Sequence, residues 1–488
     1  MTQIKDISPN EVWSIFNQIL QIPRPSGHEE KIQNWAVNYG MSLGLETLKD
    51  ETGNIVIRKP ASEGMENRKG VILQGHLDMV PQKNSDKDHD FNIDPIEAFV
   101  DGEWVTANGT TLGADNGIGV SSALAVLASD TLKHGPLEVL LTATEETGMD
   151  GAAGLEAGIL KGEILINTDS EDEGELYVGC AGGENVNVSF NYSEEKVPDD
   201  FDALKVEVSG MKGGHSGIDI SLQRGNAVKV FSRIMNEAYE KTGARLASID
   251  GGGLRNAIPR EAVGIVALSK EKVTEFKSLT DKIAEIAKDE LSYVEPDLKV
   301  TVSETKLPST LIDEQIQVSL IRAMVACPNG VIRMSDSMAG LVETSTNLAS
   351  VKSDEQNKTI NIECLMRSSV DTAREELGTR MKAVFELAGG DVKFSGAYPG
   401  WQPNMDSAIL KIMKEVYMSK FGKIPEYKAV HAGLECGILG GKYPHWDMIS
   451  FGPTIRYPHS PDEKVNIESV RKFWEFLIAT LENIPEKE

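Results

Sequence analysis

Four short runs of apolar residues constrain this chain more than any other feature. GVILQ (70–74), LEVLLTAT (137–144), GEILINT (162–168) and WDMISF (446–451) read as buried strands, and NIVIR (54–58) as a further one. Between and around them lie stretches with the apolar spacing of amphipathic helices: PNEVWSIFNQILQ (9–21), GHEEKIQNWAVNYG (27–40), NGIGVSSALAVLAS (116–129), MDSAILKIMKEVYMSKFG (405–422) and SVRKFWEFLIATLENI (469–484). Strands that alternate with helices in this way argue for an α/β sheet covered on both faces.

The pattern changes near Gly182-Gly183. VNVSF (186–190) and LKVEVS (204–209) alternate as half-exposed antiparallel strands do. Helical stretches follow at about 225–240, 271–290, 312–326 and 373–388, with alternating strands among them. The order resembles two ferredoxin-like halves, although no sequence repeat is evident. After Tyr398-Pro399-Gly400 the first pattern returns. The architecture expected is a three-layer, mixed-sheet α/β domain built from residues 1–183 and 399–488, with an α+β domain inserted at 184–398.

A length of 488 residues suits two or three domains. A formal net charge of -26 argues against nucleic acid or an anionic membrane as partner, since either would repel the chain. The four cysteines, Cys180, Cys327, Cys364 and Cys436, are scattered and include no C-x-x-C pair. MTQIKDISPNEVW at the N-terminus lacks the form of a signal peptide, and no apolar run approaches the roughly 20 residues of a membrane span. A soluble, cytoplasmic protein is expected.

Ligands of an open α/β sheet bind beyond the carboxyl ends of its strands. The polar residues there are His76 and Asp78 after GVILQG, Glu145 and Glu146 after LEVLLTAT, Asp169 after GEILINT, and His459 in the loop beyond WDMISF. Asp115 opens the helix NGIGVSS. Each alone has an ordinary reading: a satisfied histidine, a helix cap, a turn residue, a solvated loop. Together they supply two imidazoles and enough carboxylates for a pair of divalent cations sharing one bridging carboxylate. Such ligands suit zinc, and also manganese or cobalt. One carboxylate of the Glu145-Glu146 pair is left over. Successive strand residues face opposite sides, so one of the two would coordinate and the other would take a proton from a water.

The motifs GHLDMV, LGADNGIGV, TATEETGMDGA, NTDS, GMKGGHSGIDI and HAGLECG together resemble the di-zinc aminopeptidase-like metallopeptidases, the family of carnosinases, peptidase V, peptidase T and acetylornithine deacetylase. The resemblance covers nearly the whole chain, including the inserted domain, which that family calls the lid. It implies that His76 and Asp169 hold one metal, Glu146 and His459 the other, and that Asp115 bridges. It further implies Glu145 as general base, Asp78 as the residue fixing the His76 tautomer, and a cis peptide at Asp115-Asn116. The lid histidine, His215, would stabilise the oxyanion, from its own subunit or a neighbour's. Arg367 would grip the substrate carboxylate, and Asn256 would contact substrate. In HAGLECG, Gly433 and the helix start after it would present N–H groups to a carboxylate, and Glu435 would meet the substrate's amino end. His28, His89, His134 and His445 have no motif context and read as surface or structural residues.

The activity implied is hydrolysis of unblocked dipeptides, Xaa-His dipeptides such as carnosine among them, by a metal-bridged hydroxide. The alternative on the same metals is an N-acyl amino acid amidohydrolase; a third reading is a binding protein with structural metals. The expected partner is a small dipeptide, and a homodimer is compatible with the family.

Overall fold

The computed structural model describes residues 3–487. They divide into two compact units: residues up to Cys180, Trp401–Ala429 and those from Leu434 onward form the first, and Ala181–Gly400 with Val430–Gly433 form the second.

The first unit is built on an eight-stranded mixed sheet. At its centre Leu137–Thr142, Val71–His76, Ile164–Asn167 and Asp447–Ser450 run parallel, in that order. Every residue of the first three is buried, which is why they read as unbroken apolar runs. Ile55–Lys59 and Glu46–Lys49 extend one side antiparallel, and Glu175–Cys180 joins the other side, also antiparallel. The helices include Asn10–Ile19, Glu30–Ser42, Ala114–Ala128, Ala408–Phe421 and Ile467–Glu482. Ala114–Ala128 is buried almost all round; its Ser121 and Ser122 hydroxyls donate to the carbonyls one turn back, so no polar group is stranded. A separate four-stranded sheet pairs Ala98–Asp101, Trp104–Ala107, Lys464–Asn466 and Ile455–Arg456. His459 lies in the turn joining the last two of these strands.

Two local expectations are corrected. The second helix begins at Glu30, not at residue 27, because Gly27 takes a φ of 81° and the Glu29 carboxylate bonds to Thr144. The strand from Leu137 stops at Thr142. Thr144 has a φ of 55°, which ends the extended path, so Glu145 and Glu146 lie in a turn and not on opposite faces of a strand.

The second unit has a nine-stranded antiparallel sheet. Its edge-to-edge order is Lys299–Thr305, Phe201–Ser209, Ala262–Ser269, Arg245–Gly252, Val342–Asp354, Thr359–Ser368, Gly182–Asn191, Asp391–Tyr398, with Gly330–Met334 also on Val342–Asp354. The four strands at each end are joined through two helices, Ala227–Thr242 and Val273–Glu290 in one case, Glu314–Ala326 and Asp371–Leu387 in the other. Each half therefore runs βαββαβ, and one is nested in the sequence of the other, between Gly182–Asn191 and Glu314–Ala326. Residues 431–437, read from sequence as one segment of the first domain, are divided. Val430–Gly433 pack with the second unit, where the Ala181 N–H reaches the carbonyls of Val430 and Ala432, each at 3.1 Å.

Candidate active site

Because the central strands run parallel, their carboxyl ends meet at one edge, and this is where the first unit gathers its titratable side chains. His76 is the last residue of its strand and is buried. Its Nδ1 lies 3.2 Å from the Asp78 carbonyl and 3.3 Å from Asp78 Oδ1. Donation from Nδ1 leaves Nε2 with a lone pair. Nε2 nevertheless faces two more acceptors, Asp115 Oδ1 at 3.1 Å and Asp169 Oδ1 at 3.2 Å. On the other side of Asp115, its Oδ2 lies 3.2 Å from His459 Nε2, which is also 3.0 Å from Glu146 Oε2. Asp115 thus offers one oxygen to the His76–Asp169 pair and the other to the His459–Glu146 pair.

Three local devices produce this arrangement. Asp115 sits where the helix Ala114–Ala128 kinks, following Gly113 in a left-handed conformation, and the Asp115-Asn116 peptide is cis, as the family resemblance implies. The Asn116 side chain bonds to the Thr168 carbonyl, tying this turn to the residue before Asp169. His459, with a φ of 57° and a side chain 50% exposed, is presented by its hairpin turn. Asp78 is fully buried and contacts more than His76. Its Oδ1 accepts the Glu145 N–H at 3.0 Å, and its Oδ2 accepts the Glu146 N–H at 3.1 Å and the Ser26 hydroxyl at 2.7 Å.

The electrostatics show what the cluster lacks. Among the protein groups alone, burial would lower the His76 imidazole, but Asp169, Asp115 and Asp78 outweigh it and raise it well above its usual range. Hydrogen bonds to Asp115 and Glu146 push His459 up to about 11. Burial pushes Asp169 up to about 7, Glu171 to about 8 and Glu435 to about 7. Burial also raises Glu145 well above the usual carboxylate range, and Asp169, Glu435 and Glu146 act in the same direction. Burial would raise Asp78 and Asp115 too, but their imidazole contacts outweigh it and hold both well below that range. This many carboxyls around two imidazoles is a deficit of positive charge. Among the described residues, Glu146 Oε1 is buried without a hydrogen-bond partner, and Asp169 Oδ1 is buried with only His76 Nε2 facing it, at 3.2 Å. His76, Asp115 and Glu146 offer ligand atoms all within 4.8 Å of one another. Neutral imidazole and carboxylate oxygen are the donor set of a divalent cation such as zinc, and the stranded oxygen and the charge deficit both fit one.

Sequence reasoning missed several contributors. Glu29 Oε1 accepts from the Thr144 N–H, the Thr144 hydroxyl and the Gly27 N–H, holding the turn that carries Glu145. Arg24 and Glu463 bind backbone around His76 and Asp115. Glu435 is buried; its Oε2 accepts from Gln74 at 2.6 Å and Thr142 at 2.7 Å, while Oε1 has no partner among the described residues. Gln74 continues through Asn167 to Ser450 and Ser170, a buried polar chain beneath the cluster. Glu435 was singled out in the sequence; this network was not.

In the second unit, His215 and Asn256 are brought together. Gly214–His215 pairs with Ala257–Ile258, and the Ser216 N–H donates to the Asn256 carbonyl at 2.8 Å. His215 Nδ1 accepts the N–H groups of Gly217 and Ile218, so the ring proton of the neutral form belongs on Nε2, which becomes a donor. Burial, and then Arg367, lower this imidazole. Arg367 is buried, donates to the Tyr398 hydroxyl at 3.2 Å, and keeps Nε without a partner among the described residues. Gly217 is where His215, Arg367 and His431 meet: a Cβ there would lie 3.1 Å from His215 Cε1, 3.2 Å from Arg367 Nε and 2.1 Å from the His431 carbonyl. His431, which the sequence reading did not single out, is buried with Nε2 2.7 Å from the Ser345 hydroxyl, and burial drives it down to about 3. Gly433 lies in the same segment. His89 and His134 are buried, and His28 and His445 are exposed.

A model of peptidase family M20/M25/M40 matches residues 72–483, and the chain belongs to this family. It is 47% identical to the cytosol non-specific dipeptidase of Escherichia coli (strain K12) over 487 residues, which is 100% of each chain. The crystal structure of aminoacylhistidine dipeptidase from Vibrio alginolyticus is similar at 49% identity and a TM-score of 0.95, covering 100% of this chain and 99% of that one. Aminopeptidase PepT from Bacillus cereus ATCC 10987 shares the fold, with a TM-score of 0.57 at 16% identity over 98% of this chain and 99% of that one. Among the described residues, no helix is long and apolar enough to cross a membrane.

Proposed function

We propose that this chain is a metal-dependent dipeptidase acting on unblocked dipeptides, Xaa-His dipeptides among them. The observation that carries the reading is Asp115 standing between two imidazole–carboxylate pairs, with Glu145 as an additional carboxyl beside them. In this reading His76 and Asp169 would hold one divalent cation, Glu146 and His459 would hold a second, and Asp115 would serve both; zinc is the first choice, manganese and cobalt the others. Bound there, such a pair would supply Lewis-acid chemistry for a carbonyl and lower the pKa of water.

The remaining roles fall to protein side chains, His215 acting from its own subunit or a neighbour's. Glu145 takes the proton of the attacking water and returns it to the leaving amine; a carboxyl raised by burial is suited to both steps. His215 Nε2–H is the donor for the oxyanion. Arg367, buried with a free Nε, receives the substrate carboxylate, with Asn256 and the backbone at Gly433 assisting. Glu435 Oε1 is the acceptor for the substrate's free ammonium. An N-acyl amino acid has no ammonium to offer, which disfavours the amidohydrolase reading. The names of the two relatives support a dipeptidase, one non-specific and one directed to aminoacyl-histidine. We further read residues 184–398 as the inserted substrate-recognising domain and the rest as the hydrolytic one.

Glu145→Gln tests the reading. Metal content should stay at the parental level while kcat on Gly-His falls by about 10²–10⁴-fold, the usual contribution of a general base. Near-parental turnover, or a preference of the parent enzyme for N-acetyl amino acids over Gly-His, would overturn it.

A further inference from the structure

Glu463 and Arg24 lie outside every motif singled out in the sequence, yet both converge on the backbone that carries Asp115. Glu463 is 2% exposed and sits at the foot of the hairpin turn bearing His459. Its Oε2 accepts the N–H groups of Leu112 and Gly113 at 2.8 and 2.9 Å, and its Oε1 those of Ala114 and Asp115 at 2.8 and 3.2 Å. Arg24 is 3% exposed. Its Nη1 donates to the carbonyls of Leu77 and Asp78 at 2.9 and 2.8 Å, and its Nη2 to the carbonyl of Gly113. Gly113 thus gives its N–H to the carboxylate and its carbonyl to the guanidinium. It has a φ of 72°, and a Cβ there would fall 2.5 Å from Arg24 Nη2, so only glycine fits this turn.

We propose that Arg24 and Glu463 are positioning residues that set Asp115 at the correct distance from both histidines. The inference rests on the two-cation reading. The two halves of the cluster come from separate pieces of chain: His76 ends a central strand, and His459 rides on a hairpin of a different sheet. Asp115 must reach both with different oxygens, at 3.1 and 3.2 Å. Arg24 ties the residues that follow His76 to the Asp115 turn, and Glu463 ties the His459 hairpin to the same turn. One turn is clamped from both sides, and the spacing of the two imidazoles follows from it. The plainer alternative is that Glu463 only satisfies the first N–H groups of the helix Ala114–Ala128. Loss of such a cap would lower stability and leave metal affinity unchanged.

Glu463→Gln separates the two. An amide has one acceptor oxygen and a donor NH2, so two of the four N–H groups would face another donor. Zinc titration of chelator-treated protein should show affinity reduced by about 10–100-fold, the usual effect of losing a group that orients ligands. The cobalt-loaded variant should show an altered visible spectrum. Glu463→Asp, which keeps both acceptors, should recover part of the affinity. Phe476→Leu, a cavity-forming substitution in the closing helix, should lower the melting temperature and leave zinc affinity at the parental value. Arg24→Lys should act in the same direction as Glu463→Gln, and the double variant should lose less than the two combined, because both act through Gly113. If Glu463→Gln does not fold, Glu463→Asp and Arg24→Lys carry the test. Unchanged affinity and spectrum in the folded clamp variants, or an equal loss of affinity in Phe476→Leu, would overturn the proposal. A parent protein that binds no divalent ion would instead refute the two-cation reading itself.

Discussion

Asp78→Asn is the substitution whose cost can be worked most directly from the structure. The side chain is fully buried, and its two oxygens receive the Glu145 N–H, the Glu146 N–H and the Ser26 hydroxyl. Asparagine keeps the shape but supplies only one acceptor oxygen. In either orientation its NH2 faces one of the two backbone N–H groups, so a bond to a charged acceptor is lost and a donor is left unpaired. Bonds to charged groups contribute about 1.5–3 kcal/mol each, and a stranded buried donor costs about 1–3 kcal/mol, which together set the expected loss of stability at about 3–6 kcal/mol. The Asp78 carboxyl lies well below its usual range in the folded chain. Its stabilisation is therefore present above the ordinary aspartate pKa of about 3.9 and is lost as pH falls through the depressed folded value, so parent and variant should converge in strong acid. Catalysis should suffer as well, because the same carboxylate orients His76 and fixes the turn holding Glu145 and Glu146; kcat/KM should fall by about 10–100-fold or more. Urea unfolding at pH 7 and pH 3, with steady-state hydrolysis of Gly-His at saturating zinc, reads both quantities. A variant as stable as the parent, or one that loses stability while turnover is unaffected, would refute the role given to Asp78.

Gly217→Ala would put a methyl 2.1 Å from the His431 carbonyl, a backbone atom that cannot turn aside. The His215 loop must shift, at a cost of about 1–3 kcal/mol, and KM for dipeptides should rise while zinc content stays parental; unchanged kinetics would contradict this. His431 is held neutral, with its pKa driven by burial to about 3. The folded chain then binds fewer protons than the unfolded chain below the unfolded value of about 6.5, so stability is full above that pH and declines as pH falls toward 3. At pH 5 the loss is about 2 kcal/mol, and His431→Asn should abolish that share of the slope in urea midpoints measured from pH 7.5 to 5. Because His76 is raised well above its usual range and His459 to about 11, both imidazoles carry protons that a metal must displace. Asp169, raised to about 7, holds a share of a third, so calorimetric zinc binding at pH 7 in buffers of different ionisation enthalpy should report release of about two to three protons; no release would contradict the ligand assignment.

The strands that frame the site were legible because they are buried on both faces. Val71–His76, Leu137–Thr142 and Ile164–Asn167 could only appear as unbroken apolar runs, and the polar residues closing them mark one edge of the sheet. The turn holding Glu145 and Glu146 was not legible, since it depends on the positive φ of Thr144 and on Glu29, which lies 115 residues away in sequence. The Glu463 clamp spans 348 to 351 residues, and no local pattern betrays such a contact. The two βαββαβ halves of the second unit left no repeat in the sequence because one interrupts the other between Gly182–Asn191 and Glu314–Ala326. His431 gave no signal because its Ser345 partner and its packing against Gly217 come from strands and loops far along the chain.

Diffraction at the zinc absorption edge from crystals grown with zinc would show whether Asp115 joins two cations. Two anomalous peaks roughly 3.5–4 Å apart are expected, one beside His76 and Asp169 and one beside Glu146 and His459, with an Asp115 oxygen on each. A single peak, or two peaks that Asp115 does not join, would contradict the two-cation reading.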